Sequence, residues 1–212
     1  MERKDELRMA ITGGDELKAD EAARLALEEG EDALTLLEEG AVAGIYEAGR
    51  LWQEGEYFLP DIILATEAFN VVMQRLEPLL AGGPSRAKGK VVIGSVEGDA
   101  HDLGKNIVSA LLRCASYDVV DLGVDVTAER FADAARREKA DIVGMGAYMT
   151  TTMRNMEGVI DRLAEEGLRD GVKVIVGGAA VTGDYAERVG ADGYAKNAAD
   201  AVALVDSLMG VG

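Results

Sequence analysis

The chain has 212 residues, 48% of them hydrophobic and 5% aromatic, and a formal net charge of −17. That length supports one substantial core or two small domains. The acidity sets aside nucleic acid and anionic membranes as partners, and it is read as serving solubility, with docking of basic partner proteins as the alternative.

Residues 1 to about 80 are expected to be helical throughout. Stretches such as "DELKADEAARLALEEG" favour helix by propensity. Asp15 is placed to cap a helix, and Gly30 and Gly40 to stop helices. In the last long segment Ile62, Phe69, Val72, Leu76 and Leu80 recur at helical spacing and form one buried stripe, with Pro60 in its first turn. The pattern reads as a four-helix bundle over residues 1–82. "AGGPSRAKGK" then gathers Gly, Pro and basic residues, which marks a linker over 83–89.

From residue 90 to 212 the pattern alternates. Short β-branched runs, "KVVIGSV", "YDVVDLGVDV", "ADIVGMGAYM" and "KVIVGG", with a weaker fifth at "GADGYA", are separated by stretches of helix length. Leu103, Ile107, Leu111 and Cys114 form the inner stripe of the first such helix. Cys114, the single cysteine, is read as core filling, because it has no partner for an internal disulfide. Apolar strands alternating with helices predict a parallel sheet covered on both faces, in the flavodoxin-like order 2-1-3-4-5. Ligands in such folds bind beyond the carboxyl ends of the strands, at the switch point between the first and third.

The only histidine, His101, falls at that edge, in "GSVEGDAHDLGKN". Gly98 and Gly104 permit close approach to the backbone. Asp99, two residues earlier, is placed to take the Nδ1 proton and leave Nε2 free as a ligand or base. A single imidazole makes no chelating metal site, and zinc ligands are missing, but it can serve as axial ligand to a metal held by a macrocycle. The loop has no phosphate-loop or dinucleotide fingerprint. There is no apolar run of about 18 residues and no charged leader followed by an apolar stretch, and a reducing cytoplasm fits.

These residues resemble the cobalamin-dependent corrinoid proteins of methyltransferase systems. Asp99-Ala100-His101-Asp102-Leu103-Gly104 is similar to the Asp-x-His-x-x-Gly motif of B12-binding domains. "GMGAYMTTTM" resembles that family's third-strand segment, "VIVGGAAVT" its Gly-Gly motif, and "LWQEGEYFLPDIILATEAF" its helical cap. The resemblance implies an α/β protein: a four-helix cap bundle followed by a Rossmann-like, five-stranded B12-binding domain. It implies that His101 replaces the cofactor's own benzimidazole as lower ligand to cobalt, tuned by Asp99 and by a hydroxyl, assigned by spacing to Thr152. Gly98, Ala100, Asp102, Leu103, Gly104, Gly146, Tyr148 and Thr150 would line the cofactor, and Gly177 and Gly178 would admit its nucleotide tail. Tyr194 and Ala195 would lie near the tail's base. Phe58 would cover the upper face, with Ala65, Ala68 and Phe69 as further cap candidates. The chain departs from the family where Ser-x-Leu is replaced by Gly146-Ala147-Tyr148, which removes a serine hydroxyl from the tail base. Either Tyr148 fills part of the vacated space or the site takes a different lower base.

The resemblance further implies a carrier, itself without a catalytic barrel, that binds cobalamin and holds methylcobalamin in its loaded state. It would serve one-carbon metabolism with a substrate-specific methyltransferase, a folate- or thiol-dependent acceptor methyltransferase and a reductive activator. The methyl donor and the oligomeric state stay open. The main alternative is a B12-dependent sensor or regulator. The photoreceptor cap has Trp-x9-Glu-His, however, whereas Trp52 is followed ten positions later by Ile62. The small subunit of a carbon-skeleton mutase and a cofactor-free interaction module are the remaining alternatives.

Overall fold

The computed structural model describes residues 2–80 and 87–211, with side chains except those of Gln53 and Cys114. The expected linker 83–89 lies mostly outside the described residues, as does the Cys114 side chain. The chain divides into two compact units, Met1–Gly82 and Gly83–Gly212.

The first unit is helical: α1 (Arg3–Thr12), α2 (Glu16–Glu28), α3 (Ala33–Thr35), α4 (Ala43–Gln53) and α5 (Leu59–Leu80). α3 runs into α4 through a wider π-helical stretch, Leu36–Val42, so the three form one continuous rod. Asp15 accepts a hydrogen bond from the Lys18 N–H at 3.1 Å and caps α2. Gly30, at φ +89°, follows the end of the same helix. On α5, Phe69, Val72 and Leu76 are fully buried, Leu80 is buried, and Ile62 is half-buried.

Gly40 does not stop a helix, contrary to the sequence expectation. It lies inside the π-helical stretch, where a Cβ would meet Leu7 Cδ2 on α1 at 2.7 Å. Its neighbour Gly44 is tighter, since a Cβ there would be 2.8 Å from the Arg8 carbonyl oxygen and 3.0 Å from Ile11 Cβ. Both glycines let the rod back directly onto α1.

The second unit alternates strands and helices: β1 (Lys90–Ser95), α6 (Leu103–Cys114), β2 (Asp118–Asp121), α7 (Ala128–Glu138), β3 (Ile142–Gly146), α8 (Thr150–Met153), α9 (Asn155–Glu165), β4 (Lys173–Gly177), α10 (Gly183–Val189), β5 (Gly193–Ala195) and α11 (Ala198–Met209). The five strands are parallel in the order β2-β1-β3-β4-β5. One face carries Val92, Val143, Met145, Val174 and Val176 against α7, α9 and α10. The other carries Val91, Ile142 and Ile175 against Leu112 of α6 and Val205 of α11. Burial on both faces explains why the strands read as continuous apolar runs. β2 is shorter than its sequence run, because Gly123 at φ +83° and Asp125 at φ 52° turn the chain; only Val126 returns, in a single bridge to Val96.

The register aligns Ser95, Gly146, Gly177 and Ala195 in one row across β1, β3, β4 and β5, at their carboxyl ends. Alternation along the strands puts this row on the α6/α11 face, above Val91, Ile142 and Ile175. Large side chains fill the lower part of that face, and the upper edge has none.

Filling the glycine contacts on α1 should destabilise the helical unit by overpacking, by about 1–3 kcal/mol. Gly44→Ala is expected to cost more than Gly40→Ala, because it meets backbone where Gly40→Ala meets the end of a leucine. Chemical denaturation followed by circular dichroism checks the order; equal midpoints for both variants and the parent would contradict it.

Candidate functional site

The loop from β1 to α6 is held from several sides. The Gly98 N–H donates to Asp125 Oδ1 at 2.7 Å, with Gly98 at φ +78°, a conformation that favours glycine. The Asp99 N–H bonds the Val96 carbonyl, and the Ser95 hydroxyl donates to the His101 carbonyl at 2.7 Å. These bonds place His101 just before the first turn of α6.

Asp99 is fully buried. Its Oδ1 receives the His101 ring Nδ1 at 2.8 Å and the His101 backbone N–H at 3.1 Å. Its Oδ2 receives the Thr152 hydroxyl at 2.6 Å and the backbone N–H groups of Tyr148 at 2.8 Å and Met149 at 3.3 Å. Burial by itself pushes this carboxyl up. The hydrogen bonds from Thr152, Tyr148 and His101 outweigh it and hold the carboxyl well below the ordinary carboxylate range. Asp99 is therefore an anion, and an acceptor on both oxygens. In the neutral imidazole the Nδ1 proton then points at Asp99, and the lone pair sits on Nε2. The His101 side chain is 48% exposed, so that donor atom belongs to an accessible ring.

The loop after β3 supplies the other half of the site. Thr152, on α8, is buried, whereas Thr150 at the start of α8 is exposed. The Tyr148 ring stacks on His101, with centroids 4.2 Å apart and planes 22° apart. Tyr148 therefore does not fill the space of the missing serine; the residue is 55% exposed and its ring lies on the imidazole. Gly146 is free of left-handed backbone, and a Cβ there would have only an ordinary contact, 3.7 Å to Ser95 Oγ.

The remaining expected residues fall in three groups. Ala100, Asp102 and Gly104 are exposed around the imidazole loop, Leu103 is half-buried, and a Cβ on Gly104 would meet nothing within 4 Å. Gly177 belongs to the small-residue row, where a Cβ would come 2.9 Å from the Ala195 carbonyl oxygen. Gly178, at φ +113°, is required by the backbone of the neighbouring loop, since a Cβ would lie 2.1 Å from the Ala147 oxygen. Ala195 lies in the row, but Tyr194 does not serve it: its side chain packs with the cluster on the opposite face, because adjacent strand residues point to opposite sides. In the helical unit Ala65, Ala68 and Phe69 are fully buried, which leaves them no surface for a ligand, whereas Phe58, just before α5, is 68% exposed.

Sequence reasoning missed Lys105. Its side chain is 4% exposed, and its ammonium donates to Asp121 Oδ2 at 2.5 Å and Asn106 Oδ1 at 2.7 Å, tying the first turn of α6 to the end of β2. Its seven-residue spacing from the buried Leu112 puts it on the inner face of α6, a signal that periodicity contained. Among the described residues no group of three or more His, Cys, Asp or Glu is gathered for a metal ion, and no helix is long and apolar enough to cross a membrane. The site thus offers one imidazole donor, an anion behind it, and a row of small residues beside it.

A family model described as a B12 binding domain matches residues 89–203, and a second model of the same description matches residues 3–77. A corrinoid protein of Desulfitobacterium hafniense (strain Y51) is 44% identical over 209 residues, 97% of each chain. The solved monomethylamine corrinoid protein of Methanosarcina barkeri superposes with a TM-score of 0.81 at 35% identity, over 95% of this chain and 96% of that one. The methanol:cobalamin methyltransferase complex MtaBC of the same organism matches with a TM-score of 0.57 at 35% identity, over 100% of this chain and 81% of that one.

Thr152→Val removes one hydrogen bond to a buried anion and should lower stability by about 1.5–3 kcal/mol. Thr152→Ser should restore most of it. Asp99→Asn should cost at least as much, since the new amide group must face a donor. Guanidinium unfolding of the three variants tests this; a Thr152→Val loss below about 0.5 kcal/mol would mean that the hydroxyl is not holding the carboxylate.

Proposed function

The chain belongs to the corrinoid proteins of methyltransferase systems, and from that premise we propose that His101 Nε2 is the lower axial donor to the cobalt of a bound cobalamin. The observation that carries this assignment is the chain Thr152–Asp99–His101, at 2.6 and 2.8 Å, which fixes one ring nitrogen and leaves the other as the donor of an accessible ring. The protein is a corrinoid carrier that binds cobalamin and shuttles a methyl group between methyltransferases.

The residues present fit the group. A single imidazole suits a metal whose other ligands come with a macrocycle. The row Ser95, Gly146, Gly177 and Ala195 gives a tail room where side chains would otherwise fill the face, and Gly104 leaves the entrance to α6 open. When bound, the corrinoid supplies the cobalt that takes up and releases the methyl group.

What the chain's own residues do is narrower. Asp99 holds the Nδ1 proton of His101 and raises the donor strength of Nε2. Thr152 and the loop amides keep Asp99 anionic, and Ser95 fixes the backbone from which the imidazole projects.

The partner that delivers the methyl group is a substrate-specific methyltransferase, as the MtaBC complex supports. A second methyltransferase, acting on a folate or thiol, would be the acceptor's enzyme, and a reductive activator would be the third partner. Both belong to the proposal, as does a cytoplasmic location.

The reconstituted, chemically reduced protein should be methylated when mixed with a partner methyltransferase and its methyl donor, followed by loss of the reduced-cofactor absorbance. Failure with the enzymes of the methylamine and methanol systems alike would count against the carrier role. His101→Ala should retain cobalamin while losing the axial nitrogen, because the macrocycle and tail have many contacts and His101 supplies one bond. Complete loss of cofactor in a folded variant would contradict this weighting. Gly146→Ser should tighten cobalamin binding by up to about tenfold, the worth of one neutral hydrogen bond, since the backbone there accepts a side chain. Equal tightening of a tail-truncated corrinoid would show that position 146 does not sense the tail.

A further inference from the structure

One contact at the site has no counterpart in the roles above. Tyr148 touches the imidazole assembly twice. Its backbone N–H donates to Asp99 Oδ2 at 2.8 Å, and its ring stacks on His101 at 4.2 Å between centroids and 22° between planes. Tyr148 is more than half exposed and belongs to neither of the two apolar clusters that cover the sheet. A stack occupies a face of the imidazole and leaves its nitrogen edges free. A hydrogen bond at Nδ1 alone fixes one ring atom but lets the plane rock about that contact. An aromatic ring in near-parallel contact opposes the rocking. Because Asp99 Oδ1 holds Nδ1 and Asp99 Oδ2 holds the Tyr148 amide, carboxylate, imidazole and phenol ring are placed by one anchor.

We propose that Tyr148 is a positioning residue for the axial ligand: by stacking on His101 while bonded through its backbone to Asp99, it sets the plane of the imidazole and hence the direction of the Nε2 lone pair. This rests on the reading of His101 as cobalt donor. It assigns Tyr148 no contact with the reacting atoms. The stacking ring matters and the hydroxyl does not, so phenylalanine should substitute for tyrosine where leucine should not.

Two measurements test the proposal, one without cofactor. His101 is the only histidine, so its ring protons can be followed without ambiguity by NMR in the cofactor-free protein. They should lie upfield of free-histidine positions, move toward them in Tyr148→Leu, and stay in place in Tyr148→Phe. In the cobalamin-loaded protein, electron paramagnetic resonance of cobalt(II) reads the ratio of histidine-on to histidine-off forms. That ratio should fall about two- to tenfold in Tyr148→Leu, the fold-change equivalent to the about 0.5–1.5 kcal/mol of an aromatic pair, and be unchanged in Tyr148→Phe. Unchanged ring shifts and ratio in Tyr148→Leu, or a loss in Tyr148→Phe as large as that in Tyr148→Leu, would overturn the proposal. If the parent protein showed no histidine-on form, the ligand assignment itself would fail and the positioning role with it, while upfield ring shifts in the cofactor-free protein would still report the stack, which separates the two failures.

Discussion

The site is organised around one buried anion. Asp99 has no accessible surface, yet it stays ionised because its two oxygens together accept from a ring nitrogen, a hydroxyl and three backbone amides. Such a charge is costly to bury unless it is saturated with donors. The saturation requires the loop after β1 and the loop after β3 to meet, which the β1–β3 pairing at the centre of the sheet ensures. Fold and site are therefore one construction: the strand order brings together the donors that let the anion exist, and the anion orients the imidazole.

The second constraint is steric. Parallel register turns four separate sequence positions, Ser95, Gly146, Gly177 and Ala195, into one row without bulk. Below it the same face is packed with Val91, Ile142 and Ile175. In the proposed reading this row would give a corrinoid's tail its space beside the imidazole, and the packed residues beneath supply the stability that the small-residue edge does not. Gly178 answers a different need, since it lets the Ala147 backbone come close enough for the β3 loop to reach Asp99. Lys105 plays a similar part on the other side, clamping α6 to β2 through an ion pair in which the ammonium is buried and Asp121 reaches solvent, so that loss of Asp121 would leave the buried charge only the Asn106 amide oxygen.

Much of this was legible in the residues. Apolar runs separated by amphipathic stretches specify a doubly covered parallel sheet, and a carboxylate two residues before the only histidine indicates the Nδ1 contact seen at 2.8 Å. What was not legible depends on which way a side chain turns. Filling the gap in the tail site was one of two readings for Tyr148, the other being a different lower base, but past the end of β3 the pleat no longer dictates direction, and the ring lies on the imidazole. Tyr194 lies on the other face from Ala195 because alternation holds in β5 and the motif alone does not state its phase. Gly40 looks like a stop signal in one dimension; only the packing of α1 against the rod shows that it is a contact glycine.

The central claim is that the protein supplies the cobalt's lower ligand through His101 Nε2. It is tested most directly by electron paramagnetic resonance of the cobalt(II) state after reconstitution with cobalamin labelled with nitrogen-15 in its benzimidazole. Ordinary nitrogen-14 in the imidazole should split the high-field lines into triplets. Doublets from the labelled nitrogen would show that the cofactor's own base remains bound, and would contradict the account.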